Sequence, residues 1–195
     1  MAADRLARAL AAIDAANADD PNALHVRGAL RPKELAHAEL ATEWVRALRD
    51  DPSEALLLAA RAHHVRRWEI PRESEAPDRA GYHRWRRALQ AHHARIAAEI
   101  LEREGFDGEE IERVAALIRK RGLGSDPEVQ ALEDALCLVF LETQLSELAD
   151  RVDAEKLLAV VAKTLEKMST VAVAHARSLP LAPRERALLE RAAGA

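Results

Sequence analysis

Apolar positions in this chain recur at intervals of three and four residues, and short runs of turn-forming residues separate the segments that keep that period. The period predicts a first helix over 3–17, closed by Asp19-Asp20-Pro21-Asn22, and a second from Pro32 to about Arg49. Asp50-Asp51-Pro52 breaks the second helix, and Ser53 stands where it can cap a third over 54–68. Two prolines in Ile70-Pro71-Arg72-Glu73-Ser74-Glu75-Ala76-Pro77 mark a surface loop. A fourth helix over 79–104 ends at Gly105, and a fifth runs from Asp107 to Gly122 with Glu110 completing a capping box. Asp126-Pro127, a cap followed by proline at the first helical position, opens a sixth to about 150. Helices over 154–168 and 183–193 follow. The expected fold is an all-α bundle of seven to eight helices in a single domain, 1–195. Its core spans about 33–150, with the C-terminal helices over 153–193 packed against it.

The sixth helix departs from an amphipathic pattern. Val129, Leu132, Leu136, Cys137, Leu138, Val139, Phe140 and Leu141 surround its axis, which predicts a central, buried helix. Glu133, Asp134 and Glu142 lie inside that apolar run, and Asp134 shares a face with Leu138, Leu141 and Leu145. A carboxylate in such surroundings needs a partner, because an isolated buried charge costs several kcal/mol or more.

Composition narrows the classes. Forty-two alanines, only 7 Gly and 6 aromatic residues argue against β-sandwiches and Gly-loop nucleotide folds. Walker, Rossmann and His-Glu-x-x-His patterns are missing. No apolar run is long enough for a spanning helix, and the first residues lack the basic-then-apolar order of a secretory signal. Cys137 is the single cysteine, which excludes an internal disulfide framework and suits a cytoplasmic protein. The net charge of −4 hides an uneven distribution. Residues 61–95 carry nine Arg against four acids, leaving the rest of the chain at about −9. That window also holds five of the eight histidines together with Trp68, Tyr82 and Trp85. A basic, aromatic segment in an acidic protein points to an anionic partner.

Helical spacing turns the histidines inward. His37 shares a face with Ala41, Trp44 and Leu48; His64 lies between Leu57, Ala60 and Trp68; His92 and His93 flank the stripe of Trp85, Leu89, Ile96 and Ile100. Each imidazole alone is equally at home hydrogen-bonded in a core. Together with an inward carboxylate they are also ligands for zinc, iron or manganese. Glu34-Leu35-Ala36-His37 has the Glu-x-x-His spacing of di-iron bundles, but no second copy exists, so it makes no di-iron site.

The order of these residues resembles the HD-domain phosphohydrolases, a helical superfamily. Leu58-Ala59-Ala60-Arg61-Ala62-His63-His64-Val65 is similar to the helix that ends in the His-Asp doublet, with His64 in place of the Asp. His92-His93-Ala94-Arg95-Ile96 resembles the later His segment, and Glu128 to Ala135 the segment leading to a late Asp on a central helix. A closer resemblance covers essentially the whole chain. Ala60 to Arg72 (with His63-His64 and Trp68-Glu69-Ile70-Pro71-Arg72), Asp78 to Arg86 (with Ala80-Gly81-Tyr82 and Trp85-Arg86), and Leu132-Glu133-Asp134 resemble an uncharacterised bacterial and fungal family catalogued as domain of unknown function 4202. That resemblance implies no activity. Within the pattern it implies, His64, His93, Glu133 and Asp134 weigh more than His37, His63 and His92.

Two functional classes follow. The first is a divergent HD-like, metal-dependent hydrolase of a phosphorylated or nucleotide-like small molecule. His64, His93 and Asp134 would hold a divalent ion, with His37 or His63 as further ligands and Glu133 as acceptor or general base. Arg67, Arg72 and Arg86 would neutralise phosphate, and Trp68, Tyr82 or Trp85 would stack on a ring. The second is a binding or regulatory module without turnover, taking RNA, a nucleotide or an acidic partner through the 61–95 window. In either case the 69–80 loop is expected over the cavity mouth, with Arg72 and Arg79 turned toward the inward histidines.

Overall fold

A computed structural model describes residues 2–194. Ten α-helices and one short hairpin account for the regular structure among them: α1 (Ala2–Ala18), β1 (Ala23–Val26), β2 (Ala29–Pro32), α2 (Lys33–Leu48), α3 (Glu54–Ala62), α4 (Arg79–Arg103), α5 (Gly108–Ile118), α6 (Pro127–Thr143), α7 (Leu145–Arg151), α8 (Ala154–Leu165), α9 (Thr170–Arg177) and α10 (Pro183–Ala193). The architecture is all-α in essence, and no described helix is long and apolar enough to cross a membrane.

The start signals act as expected. Ser53 accepts from the Leu56 amide, Asp107 and Glu110 form the reciprocal capping box, and Asp126 caps the helix that begins at Pro127. Helix α2 lacks a cap of its own. Asp20, from the turn after α1, accepts the Glu34 amide at 2.9 Å and supplies one from outside.

Helix α6 is the axis of the molecule. One core cluster joins its Val129, Leu132, Ala135 and Val139 to α1–α5; a second joins its Cys137, Leu138 and Leu141 to α7–α10. It is therefore apolar all round, and its buried acids each need an answer.

Four departures from the sequence reading have local causes. Residues 23–32 form an antiparallel hairpin, with Val26 opposite Ala29 and Arg27-Gly28 at the turn. Both turn residues have positive φ (49° and 82°), the twist that joins short strands tightly. Helix α3 stops at Ala62, not at 68, because Arg66 takes a left-handed conformation (φ 51°) ahead of a 3₁₀ turn over Arg67–Glu69. The long sixth helix breaks at Gln144 into α6 and α7. Beyond α8 an additional helix, α9, is capped by Ser169.

The Trp-Glu-Ile-Pro-Arg and Ala-Gly-Tyr runs are one stapled unit. Trp85 Nε1 donates to the Ile70 carbonyl at 3.0 Å, and the Arg72 guanidinium donates to the carbonyls of Glu75 (3.0 Å) and Ala76 (2.9 Å). The Ala76 carbonyl presses on Gly81 so closely that a Cβ there would sit 2.2 Å from its oxygen. Only glycine leaves that room.

Candidate functional site

The site begins with two residues one helical turn apart. Glu34 and His37 lie on the inner face of α2, 4% and 2% exposed, with His37 Nδ1 3.3 Å from Glu34 Oε2. His64, in the turn that ends α3, brings its Nδ1 to 3.1 Å from the same oxygen. Arg67 Nε stands 3.8 Å from the other, Glu34 Oε1. One carboxylate oxygen and two imidazole nitrogens thus converge, each within 4.8 Å of the others.

Protons can be assigned from the network. Thr143 has one hydroxyl proton, donated to the Val139 carbonyl at 2.7 Å, so its oxygen accepts from His37 Nε2 at 3.3 Å. A neutral His37 then turns a lone pair at Nδ1 toward the Glu34 carboxylate. Two acceptors facing each other at that distance call for a cation or a proton between them.

The break at the end of α3 serves the same site. By leaving the helix early the chain frees carbonyls for imidazoles: Ala60 for His63 Nδ1 (2.8 Å) and Val65 for His93 Nδ1 (2.9 Å). Both rings therefore carry their proton on Nδ1 and offer an unprotonated Nε2. The imidazoles form a row, with ring centroids 4.1 Å apart for His63–His64 and 5.7 Å for His64–His93.

Burial sets their charge. It holds His63 well below the ordinary histidine range, His64 at about 4 against the opposing pull of Glu34, and His93 at about 3 with His64 adding to the effect. For Glu34, burial would raise the pKa, but His64 and His37 outweigh it and keep the carboxyl well below the usual range. Burial also lowers Arg67, opposed by Glu34 and reinforced by the neighbouring Arg86.

His37, His63, His64, His93 and Arg67 line a single cavity of about 400 Å³, within the range of small-molecule sites, and Glu34 is not part of its wall. The structure brings together nine of the residues singled out in the sequence on its wall: His37, His63, His64, His93 and Glu133, with Arg67, Tyr82, Trp85 and Arg86. Also on the wall, Glu133 is ion-paired with Lys120 and lies 4.0 Å from Lys167. Cys137 is also in the wall, but burial raises its thiol to about 12, so it is inert as a nucleophile.

Three expected residues lie elsewhere. Asp134 does not meet the histidines: its Oδ1 accepts from the Ser169 amide (2.8 Å) and from Gln130 Nε2 (2.9 Å), which ties α9 to α6. Arg72 is spent on the carbonyls of its own loop rather than aimed at the cavity. Trp68 is half-buried outside the wall, and neither it nor any residue of the 69–80 loop lines the cavity.

Glu34, Lys120 and Lys167 were not singled out as site residues. Glu34 carried a legible signal, its Glu-x-x-His spacing with His37, which by itself matches the inner face of any helix. The two lysines carried none, since they come from separate segments.

No curated protein and no solved structure matches the chain. A family model does, over residues 7–189, nearly its whole length. The runs stapled around Gly81 and Trp85, the imidazole row and the buried acids of α6 all fall within that span. The chain thus belongs to the family described as domain of unknown function (DUF4202).

Proposed function

We propose that this protein is a divergent HD-like, metal-dependent hydrolase of a phosphorylated small molecule, with Glu34, His37 and His64 as the metal-holding set. The observation that carries the reading is the convergence of those three donors, two of which, His37 and His64, line a cavity that also holds Arg67 and Arg86. The spacing fits an ion. Ligands about 2.0–2.1 Å from a tetrahedral centre stand roughly 3.4 Å apart, and the Nδ1–Oε2 separations are 3.3 and 3.1 Å. Glu34, from one turn before His37, supplies the negative charge that His64 lacks in the doublet position. A divalent ion bound there would supply Lewis-acid charge to a phosphoryl group.

The remaining work belongs to the chain. Arg67 and Arg86 offer planar donors to phosphate oxygens, and Arg86 has no carboxylate partner among the described residues. Their positions are held by aromatic rings: Arg67 lies 4.8 Å from the Trp85 centroid and Arg86 6.0 Å from that of Tyr82. Thr143 fixes the His37 ring, and the Ala60 and Val65 carbonyls fix those of His63 and His93. Glu133, paired with Lys120 and near Lys167, adds a second charged group to the cavity wall.

Elemental analysis of purified protein tests the reading. About one equivalent of a transition metal is expected, lost in Glu34→Gln and His64→Ala, with metal-dependent release of phosphate from a generic phosphomonoester such as p-nitrophenyl phosphate. Protein that takes up no metal, or variants that keep it, would overturn the assignment.

One observation favours a second reading, a module that binds RNA, a nucleotide or an acidic partner without turnover. Arg79, Arg86 and Arg87 are exposed along α4 without carboxylate partners among the described residues. RNA binding would weaken steeply with salt and survive Glu34→Gln.

A further inference from the structure

His93 sits in the wall of the cavity but outside the three-donor set. It is 2% exposed, and its Nε2 is a buried polar atom with no hydrogen-bond partner among the described residues. Its one ring proton is committed to the Val65 carbonyl through Nδ1 at 2.9 Å. Nε2 is therefore a bare lone pair, and a buried acceptor left unpaired is costly to keep and rare in native proteins. No described residue answers it. Its position on the cavity wall gives it a partner only when a ligand arrives.

His63 repeats the arrangement 30 residues away in the sequence, yet one imidazole removed in space. It is 6% exposed, its Nδ1 is taken by the Ala60 carbonyl at 2.8 Å, and its ring stands 4.1 Å from that of His64. Two acceptor nitrogens therefore flank His64 in the same cavity. An acceptor selects a donor, and the donors that small phosphorylated compounds carry are hydroxyls and the N–H groups of bases. The aromatic rings decide between them. A base needs a free π-face, but the Trp85 ring has Arg67 at 4.8 Å and Arg72 at 5.8 Å, and the Tyr82 ring has Arg72 at 5.9 Å and Arg86 at 6.0 Å. These faces already hold guanidinium groups.

We infer that the ligand is a polyol phosphate, with phosphate at Arg67 and Arg86 and a nearby hydroxyl donating to His93 Nε2. The inference rests on the phosphate reading above and adds the hydroxyl, with His93 as its positioning residue. A site built to pair a hydroxyl rejects the analogue that lacks it, because the buried acceptor is left unpaired.

The test is calorimetric titration of the full chain, in buffer with Mn²⁺, by inorganic phosphate, n-propyl phosphate, glycerol 3-phosphate and adenosine 5′-monophosphate. Glycerol 3-phosphate should bind at least about tenfold tighter than propyl phosphate. In His93→Phe that preference should fall below about twofold while inorganic phosphate affinity holds, and His93→Gln, which restores an acceptor, should recover part of it. Equal affinity of the wild-type protein for the two esters overturns the inference and leaves the phosphate site standing, whether or not the variants fold. A preference that survives His93→Phe, or tighter binding of the nucleotide, also overturns it. Failure of all four probes overturns the phosphate reading itself.

Discussion

Replacing Asp134 separates a structural acid from a metal ligand. Its side chain is 3% exposed and accepts two N–H bonds, from the Ser169 amide at 2.8 Å and from Gln130 Nε2 at 2.9 Å. Gln130 Nε2 also donates to the Lys167 carbonyl at 2.8 Å, so the pair fastens the corner between α8 and α9 to the central helix. In Asp134→Ala both bonds go and the Ser169 amide is left without its acceptor. Hydrogen bonds to a charged group are worth roughly 1.5–3 kcal/mol each. Removing the desolvated carboxylate returns part of that sum, so the net loss should be about 3 kcal/mol. Asp134→Asn keeps an oxygen acceptor and should lose about half as much. For a chain of this size about 3 kcal/mol lowers the melting temperature by roughly 6–12 °C. Urea denaturation of the wild type and both variants measures the free energies, and elemental analysis of the same samples measures metal. Metal content should not change. A stability loss below about 1 kcal/mol, or loss of metal from Asp134→Ala, would refute the structural role.

The other expectations are as direct. Gly81→Ala should cost about 2–3 kcal/mol by overpacking, since its Cβ meets backbone rather than a movable side chain; an unchanged urea midpoint would show that the 70s loop lifts away freely. Arg72→Ala should cost about 1–2 kcal/mol and expose the 70–78 segment to proteolysis, while phosphate affinity stays within about twofold; a tenfold weaker titration would put Arg72 back in the site. Stability of the metal-free protein should fall as pH drops from 6.5 toward 3, because unfolding lets His93 take up a proton at its ordinary value while the folded ring resists until about 3. Each such group adds at most about 1.4 kcal/mol per pH unit, and His63 and His64 act in the same direction. His93→Gln should flatten the slope between pH 7 and 5, and a wild-type slope already flat there would contradict the buried neutral ring.

Periodicity and punctuation determined the helical class, the caps at Ser53, Asp107 and Asp126, and the central place of α6, because those features depend on neighbours within a few residues. They also placed His37, His64 and His93 on inward faces, which the 400 Å³ cavity brings together. What the sequence could not settle was partnership. Glu133 and Asp134 are adjacent in α6, yet about 100° of helical rotation sends one into the cavity with Lys120 and the other to the α9 corner. Arg67 and Arg72 look alike as arginines of one basic window. In the fold the first reaches Glu34 and the cavity wall, and the second is bound to the carbonyls of its own loop. Glu34 reads locally as an ordinary helix acid, and only the fold carries His64, 30 residues later, to its oxygen. Local sequence specifies which way a side chain faces along its own element. What it faces depends on how the elements pack, and at this site that decided which carboxylate meets the histidines.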